Sequence, residues 1–502
     1  MEFNEKTQPM TTTTALLDTA DERPVDVDVV LPDYCPDVAA ILCCELIPSV
    51  TASGWNGDKL TADGTALLRV LYLDEGRKTV YTYEITQAFS AAFLTDGRQN
   101  DTAAEVTATT DYVHCRAVSP RRLDIHGAIH VKASAATAMA QTVLSDVAEE
   151  NVYLKTETVT ASVPSGAAQK PFSIGETIAS ADGMERVLRS GAVPTVSETK
   201  VLAGKIIVKG NLHIHVFALC DAESGKTAGN EYTLPFSQML DLPGVDEDTT
   251  VDVTVRTVSH NVRIEEEGGE KSLYSSTKLA LCAQAWTNES ATVVTDVYAT
   301  TMPVTVQTQA VDCRRLLSVS AESMTVTKTM ELPTDAAHIL SAWCEATALS
   351  AENGEMTRTL GGRLSVHLLY TDGDGQVQYA ERTADFSERF AAVGTAEQSD
   401  FSVTSCDAFS EQEGQLTVKA TLDVTRRQFE MTHVMAVTGV KGEETAAYPN
   451  EEAAVKIVYA DAGESLWDVA KAGHTSVAAL KAENELDGDV LPKRTMLLVP
   501  LL

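Results

Sequence analysis

The sequence predicts a mainly β protein: three tandem antiparallel β-sandwich or barrel-like domains, followed by a small βααβ unit. Three observations carry this reading. Apolar residues alternate at period two, as in Leu212, Ile214, Val216 and again in Leu364, Val366, Leu368. Turn clusters such as Asp74-Glu-Gly76, Asp221-Ala-Glu-Ser-Gly225 and Thr371-Asp-Gly-Asp-Gly375 join pairs of apolar runs at hairpin spacing. Three separate blocks also recur in the same order at nearly the same offsets.

The blocks give the repeat its length. A Val/Ile-Leu pair ends at Leu42, Leu188 and Leu340, with offsets of 146 and 152 residues. A glycine opens an apolar strand at Gly64, Gly210 and Gly362, again 146 and 152 apart. A Phe-Ser pair falls at Phe89, Phe236 and Phe386, 147 and 150 apart. Agreement of independent blocks in order and offset points to three copies of one unit. The length of 502 residues fits about three or four domains.

Taken in order, residues 1–20 read as a flexible N-terminus. The copies are expected at 21–155, 156–315 and 316–440. Each reads as β throughout, although the Ala-rich stretch Lys132–Leu144 would also suit a helix. Residues 441–454 are polar, acidic and proline-containing, and read as a linker. The last unit, 455–502, starts with a strand at Lys456–Ala460. Ser465 then caps a helix carrying Leu466, Val469 and Ala470, which stops at Gly473. A second helix starts at Ser476, and Met496–Val499 closes the unit as a strand.

Composition excludes several classes. With 39 Lys+Arg against 72 Asp+Glu the chain carries −33, which repels nucleic-acid backbones, and no basic patch offsets it. No run of about 18 apolar residues spans a membrane, and the first 20 residues lack a secretory apolar core. The nine cysteines are scattered without a C-x-x-C pair and read as buried, reduced thiols of a cytoplasmic protein.

The chemical motifs are negative. Ser224-Gly225-Lys226-Thr227 resembles the end of a phosphate-binding loop, but Cys220 stands where that loop needs glycine, and the segment lies in a hairpin. His213 and His215 share a strand face. With Arg69 and His367 at positions equivalent to His215, they read as an outward, solvated polar row. No Gly-x-Ser-x-Gly, His-Glu-x-x-His or Gly-x-Gly-x-x-Gly occurs, nor EF-hand spacing. The expectation is no enzyme, no metal and no cofactor.

Residues Gly463-Glu464-Ser465-Leu466-Trp467-Asp468-Val469-Ala470, with Ser476-Val477, Leu480, Asn484, Leu486 and Leu497–Pro500, resemble the LysM domain family. Thr475 departs from the pattern's apolar residue, and Pro492-Lys493-Arg494 lacks its glycine after proline. The resemblance implies partner or glycan binding by Gly463, Glu464, Ser465, Trp467, Asn484, Leu486 and Asp487. Any glycan site, between Ala462–Ser465 and Glu485–Pro492, would be unusually acidic. Trp467 reads as the large packing anchor of this small unit or, exposed beside the first loop, as a contact residue.

The three copies resemble the SPOCS domain of sporulating bacteria through Leu31-Pro32-Asp33-Tyr34-Cys35-Pro36-Asp37, Ile41-Leu42, the glycine-led strands and Pro235-Phe236-Ser237. Three such domains and one LysM is the layout of the SipL family of spore-coat assembly proteins. That resemblance implies a non-enzymatic scaffold in the mother-cell cytoplasm, recruited to the forespore surface. Its LysM would dock onto a coat ATPase of the stage IV sporulation protein A type, with other coat proteins as partners. The alternative is an envelope protein that binds peptidoglycan or N-acetylglucosamine through the LysM.

Overall fold

The computed structural model describes residues 3–95, 104–181, 183–354, 356–410, 412, 414–443, 448 and 455–500. The chain opens with β1 (Glu5–Val30), continues through β2 (Ala40–Asn56), β3 (Lys59–Leu73) and β4 (Val80–Leu94), and closes a unit with β5 (Ala104–Ser119) and β6 (Arg122–Val147). These six strands form two antiparallel sheets, ordered β2-β3-β4 and β1-β6-β5. The same wiring returns in β7 (Val152–Ser180), β8 (Arg186–Leu202), β9 (Lys205–Asp221), β10 (Lys226–Asp241), β11 (Thr250–Glu267) and β12 (Glu270–Ala299). It returns again in β13 (Val304–Glu331), β14 (Ala336–Asn353), β15 (Thr357–Asp372), β16 (Val377–Ala391), β17 (Ala396–Phe409) and β18 (Gln415–Gly442). A two-stranded sheet of β19 (Val455–Ala460) and β20 (Thr495–Pro500) then flanks α1 (Leu466–Ala472) and α2 (Val477–Asn484).

Period-two patterning builds the local cores. In the first copy Leu68 and Val70 of β3 face Leu123, Ile125, Ile129 and Val131 of β6 in one buried cluster. Each buried side chain of this size contributes roughly 1.5–3 kcal/mol. The glycine and Phe-Ser blocks have one shared cause: Gly64 pairs with Phe89, Gly210 with Phe236 and Gly362 with Phe386. Each phenyl ring lies over the glycine opposite, where an added Cβ would come within 2.2, 2.5 and 2.4 Å of it.

Equivalent positions of the three copies meet one another. Leu71, Phe217 and Leu369 join Cys43, Leu188 and Trp343 in one cluster beside the meander sheets. At the far ends of the long strands Val143, Val293 and Ala436 share a second cluster, and Leu144, Val294 and Val437 a third. The ring is closed between first and last copies: the Val440 amide donates to Glu5 Oε1 at 2.6 Å.

Several expectations are corrected. Residues 5–20 are not a flexible tail but the greater part of β1, paired with β6 from Glu5↔Val147 onward. The Thr11–Thr14 run is β-branched and suits a strand. Lys132–Leu144, whose Ala content would also suit a helix, is instead strand as the β reading of the copy had it, because β6 continues there against β1. The expected divisions at 155/156 and 315/316 fall inside β7 and β13. Of the expected linker, Lys441 and Gly442 belong to β18, and the Tyr448 amide donates to the Thr301 carbonyl at 3.0 Å. Residues 444–447 and 449–454 lie outside the described residues.

The polar row is not solvated either. Arg69 is 2% exposed. Its guanidinium donates to Glu84 at 2.6 Å, to Glu45 at 3.0 Å and to the Ser190 carbonyl of the second copy at 2.9 Å. Arg189 of the second copy bonds the same Glu45 at 2.8 Å and covers the Trp343 ring of the third. His367 stacks on that ring, while His215 pairs with Glu231 at 3.2 Å. What read as a water-facing edge is where copies touch. The thiols are not all reduced: Cys344 and Cys406 form a disulfide, and the remaining seven are free.

Candidate functional site

The C-terminal unit is built as its residues dictate. Ser465 Oγ accepts from the Asp468 amide and Ser476 Oγ from the Ala479 amide, so each helix starts on a serine cap. Leu466, Ala470, Leu480, Leu497 and Val499 fill the core between helices and sheet. Glu485 ends α2 in a left-handed conformation.

This unit does not stand free of the repeats. Trp467 meets Tyr298 of β12 edge-on at 4.8 Å, and its indole N–H donates to Asp296 at 2.7 Å. Lys471 reaches the same carboxylate at 2.7 and 2.8 Å. The Tyr298 hydroxyl donates to the Thr475 carbonyl at 2.8 Å, and Tyr153 stacks behind Tyr298. Burial pushes the Asp296 carboxyl up, but the Lys471 and Trp467 hydrogen bonds and the lysine charge outweigh it and hold it below its ordinary value. Trp467 is therefore half-buried, packed against its own unit's core and set in a joint with the second copy.

The other predicted residues separate into two groups. Gly463 and Glu464 are exposed and lie beside the second loop, because the Gly463 amide donates to Leu491 at 2.8 Å and the Leu491 amide to Glu464 at 3.0 Å. Ser465 bridges to Val490, and the Leu466 amide donates to Asp489 at 2.8 Å. Asp487 is exposed at the loop's outer side. Asn484 is spent on structure: its amide donates to the Leu480 and Leu498 carbonyls, and its oxygen accepts from the Leu498 amide at 2.7 Å. Leu486 packs against the core.

Sequence reasoning missed two features. Asp296 and Tyr298 hold the joint; by the repeat register Tyr298 stands where the other copies have Ala148 and Lys441, a departure that comparison of the copies would have flagged. The second is an apolar row on the outer face of the two-stranded sheet. Ile457 is 60% exposed, Tyr459 66% and Met496 51%, with Tyr459 directly opposite Met496 and Ile457 opposite Leu498. An outer face that alternates like the inner one gives no polar contrast to read.

A cavity of about 770 Å³ lies where the copies meet, lined by residues including Arg256, Arg314 and Arg427. Of the three, Arg427 has its charge met by carboxylates. Arg427 pairs with Asp252 and Asp400, Arg256 donates to the Val106 carbonyl, and Arg314 lies over the Phe429 ring. Among the described residues no group of three or more His, Cys, Asp or Glu could hold a metal ion. No helix among them is long and apolar enough to cross a membrane.

A family model described as SipL, SPOCS domain matches residues 184–265, the stretch from just before β8 to near the end of β11. The chain thus carries a SPOCS-domain region in its second copy, joined to a βααβ unit consistent with a LysM-like fold. Neither the curated proteins nor the solved structures contain a match to this chain.

Proposed function

We propose that this chain is a non-enzymatic scaffold of spore-coat assembly, with three SPOCS-type copies presenting a LysM-like unit to a forespore-coating ATPase of the stage IV sporulation protein A type. It would act in the mother-cell cytoplasm and be recruited to the forespore surface, with other coat proteins as further partners. The SPOCS-domain match supports the family link. The observation that carries the choice of a protein partner is the exposed row of Ile457, Tyr459 and Met496. Aliphatic, aromatic and thioether side chains on one face of a strand pair suit an apolar protein surface, and an aromatic anchor such as Tyr459, once buried by a partner, is worth about 2 kcal/mol or more.

The glycan reading is less well supported. Its two loops are laced together by backbone hydrogen bonds and carry Glu464, Asp487 and Asp489, while Asn484 has no amide group left to offer a sugar. Of the proposed contact residues, Gly463, Glu464 and Asp487 are exposed.

The test is co-purification of the full chain with the ATPase from sporulating cells, comparing wild type with Ile457→Asp. The variant replaces a 60% exposed side chain, so the fold should persist while capture falls at least tenfold. Undiminished capture by the variant, or micromolar binding of N-acetylglucosamine oligomers by the wild type without ATPase capture, overturns the reading.

A further inference from the structure

The cysteine pair of the third copy lies on a seam that also runs through the first. Cys344 pairs with Val366 in β15, four residues after Gly362; Leu46 pairs with Leu68 in β3, four residues after Gly64. Cys344 therefore stands where Leu46 stands. Cys406 pairs with Ala420 of β18, and Val113 pairs with Gly127 of β6, the equivalent place. The Cys344–Cys406 bridge, with Cα atoms 6.0 Å apart, is thus one rung between the two sheets, and Leu46/Val113 is the same rung in the first copy. A Cβ built on Gly127 would meet Leu46 at 3.3 Å and Val113 at 3.4 Å, which places those two residues side by side. The seam holds in the second copy too, where Thr257 donates to the Ala192 carbonyl as Thr110 does to that of Leu46.

One rung further along, two residues earlier in β2 and two later in β5, stand Cys44 and Cys115. Both are half-buried free thiols packed against the first copy's core. In the third copy the equivalent of the neighbouring rung carries a disulfide, so a seam of this build accepts the backbone separation such a bridge needs. We infer that Cys44 and Cys115 form a second site of disulfide formation, cross-linking β2 to β5 by exchange with a small-molecule disulfide such as oxidised glutathione.

The chemistry balances. The Cys115 thiolate attacks one sulfur of glutathione disulfide, breaking its S–S bond and releasing glutathione thiolate. Cys44 then attacks the Cys115 sulfur of the mixed disulfide. Its proton passes to the second glutathione thiolate as that group leaves, so two protein thiols are oxidised and one glutathione disulfide is reduced to two glutathiones. The roles follow from the shared thiol hydrogen bond, which holds the Cys115 thiol below its ordinary value and, with burial, pushes Cys44 up. The second copy has Ser190 and Val262 at this rung and cannot form the link.

The test uses the full folded chain, incubated with glutathione disulfide, alkylated, and mapped by mass spectrometry without reduction. The expected result is a peptide pair joined through Cys44 and Cys115, with fragment ions separating Cys44 from Cys43. It should revert to two alkylatable thiols after treatment with reduced dithiothreitol. In Cys44→Ser the link should vanish and Cys115 should carry a stable glutathione adduct. Free thiols at both positions, separate glutathione adducts on each, or linkage of either residue to a different cysteine would overturn the assignment. The wild-type map decides the question even if the variant fails to fold.

Discussion

Replacing Gly210 with alanine should reveal how the repeat unit is pinned together. An ideal Cβ there would lie 2.0 Å from the Thr195 carbonyl oxygen and 2.5 Å from Cζ of Phe236. The first neighbour is the backbone of a paired strand, since Thr195 faces Asn211 in the ladder, so it cannot swing aside as a side chain can. The second is a buried ring in the second copy's core, beside Leu240, Leu242 and Leu281. Relief needs both a ladder shift and a displaced ring, which puts the cost at the upper end of overpacking, about 3 kcal/mol. Urea unfolding followed by far-UV circular dichroism reads this as a lower midpoint at unchanged slope. Gly191→Ala is the control: it lies on β8 of the same sheet with nothing within 4 Å of the added methyl, and should change stability by no more than about 0.5 kcal/mol. Equal midpoints for the two variants would refute the explanation of the glycine and Phe-Ser blocks.

Three further outcomes are expected. Asp296→Ala removes the acceptor shared by Trp467 and Lys471, so the C-terminal unit should loosen, with red-shifted tryptophan emission and faster proteolysis ahead of β19 while the β content stays constant. Because Asp296 titrates below its ordinary value in the folded chain, its contribution is complete above the ordinary carboxylate range of about 4 and is lost as pH falls through the lowered value. The joint should therefore open on acidification earlier than the global β signal is lost, and Asp296→Asn should flatten that early step. Glu45→Ala leaves Arg69 and Arg189 facing each other with their shared carboxylate gone, and should destabilise the chain by about 3–5 kcal/mol, measured as a denaturant midpoint.

The unit's wiring was legible because its markers are stereochemical. A glycine under a phenyl ring must recur wherever that strand pair recurs, so three such pairs at matching offsets reveal three copies. The serine caps and Gly473 likewise marked the helices of the C-terminal unit. The closure of the copies on one another was not legible. Arg69, His215 and His367 alternate with apolar residues just as a water-facing row does, and only the partner copy turns that face into an interface. Trp467 was ambiguous for a similar reason: a sequence marks an aromatic residue as an anchor without saying whether its pocket belongs to another protein or, as with Tyr298 and Asp296, to the same chain.

The contact between Glu5 and Val440 has a consequence for how the protein can be made and altered. In an open array each module rests on its neighbour, and modules can be added or lost at the ends. Here β1 finds part of its lining only once β18 has been synthesised, since Met10 shares its cluster with Val434 and Ala436. The long ribbons of the first two copies must wait with apolar edges uncovered, a stage at which chaperones or self-association compete for them. Evolution by duplicating or dropping a single module is equally constrained: a pair would leave a gap in every shared cluster, and a fourth would have no seat.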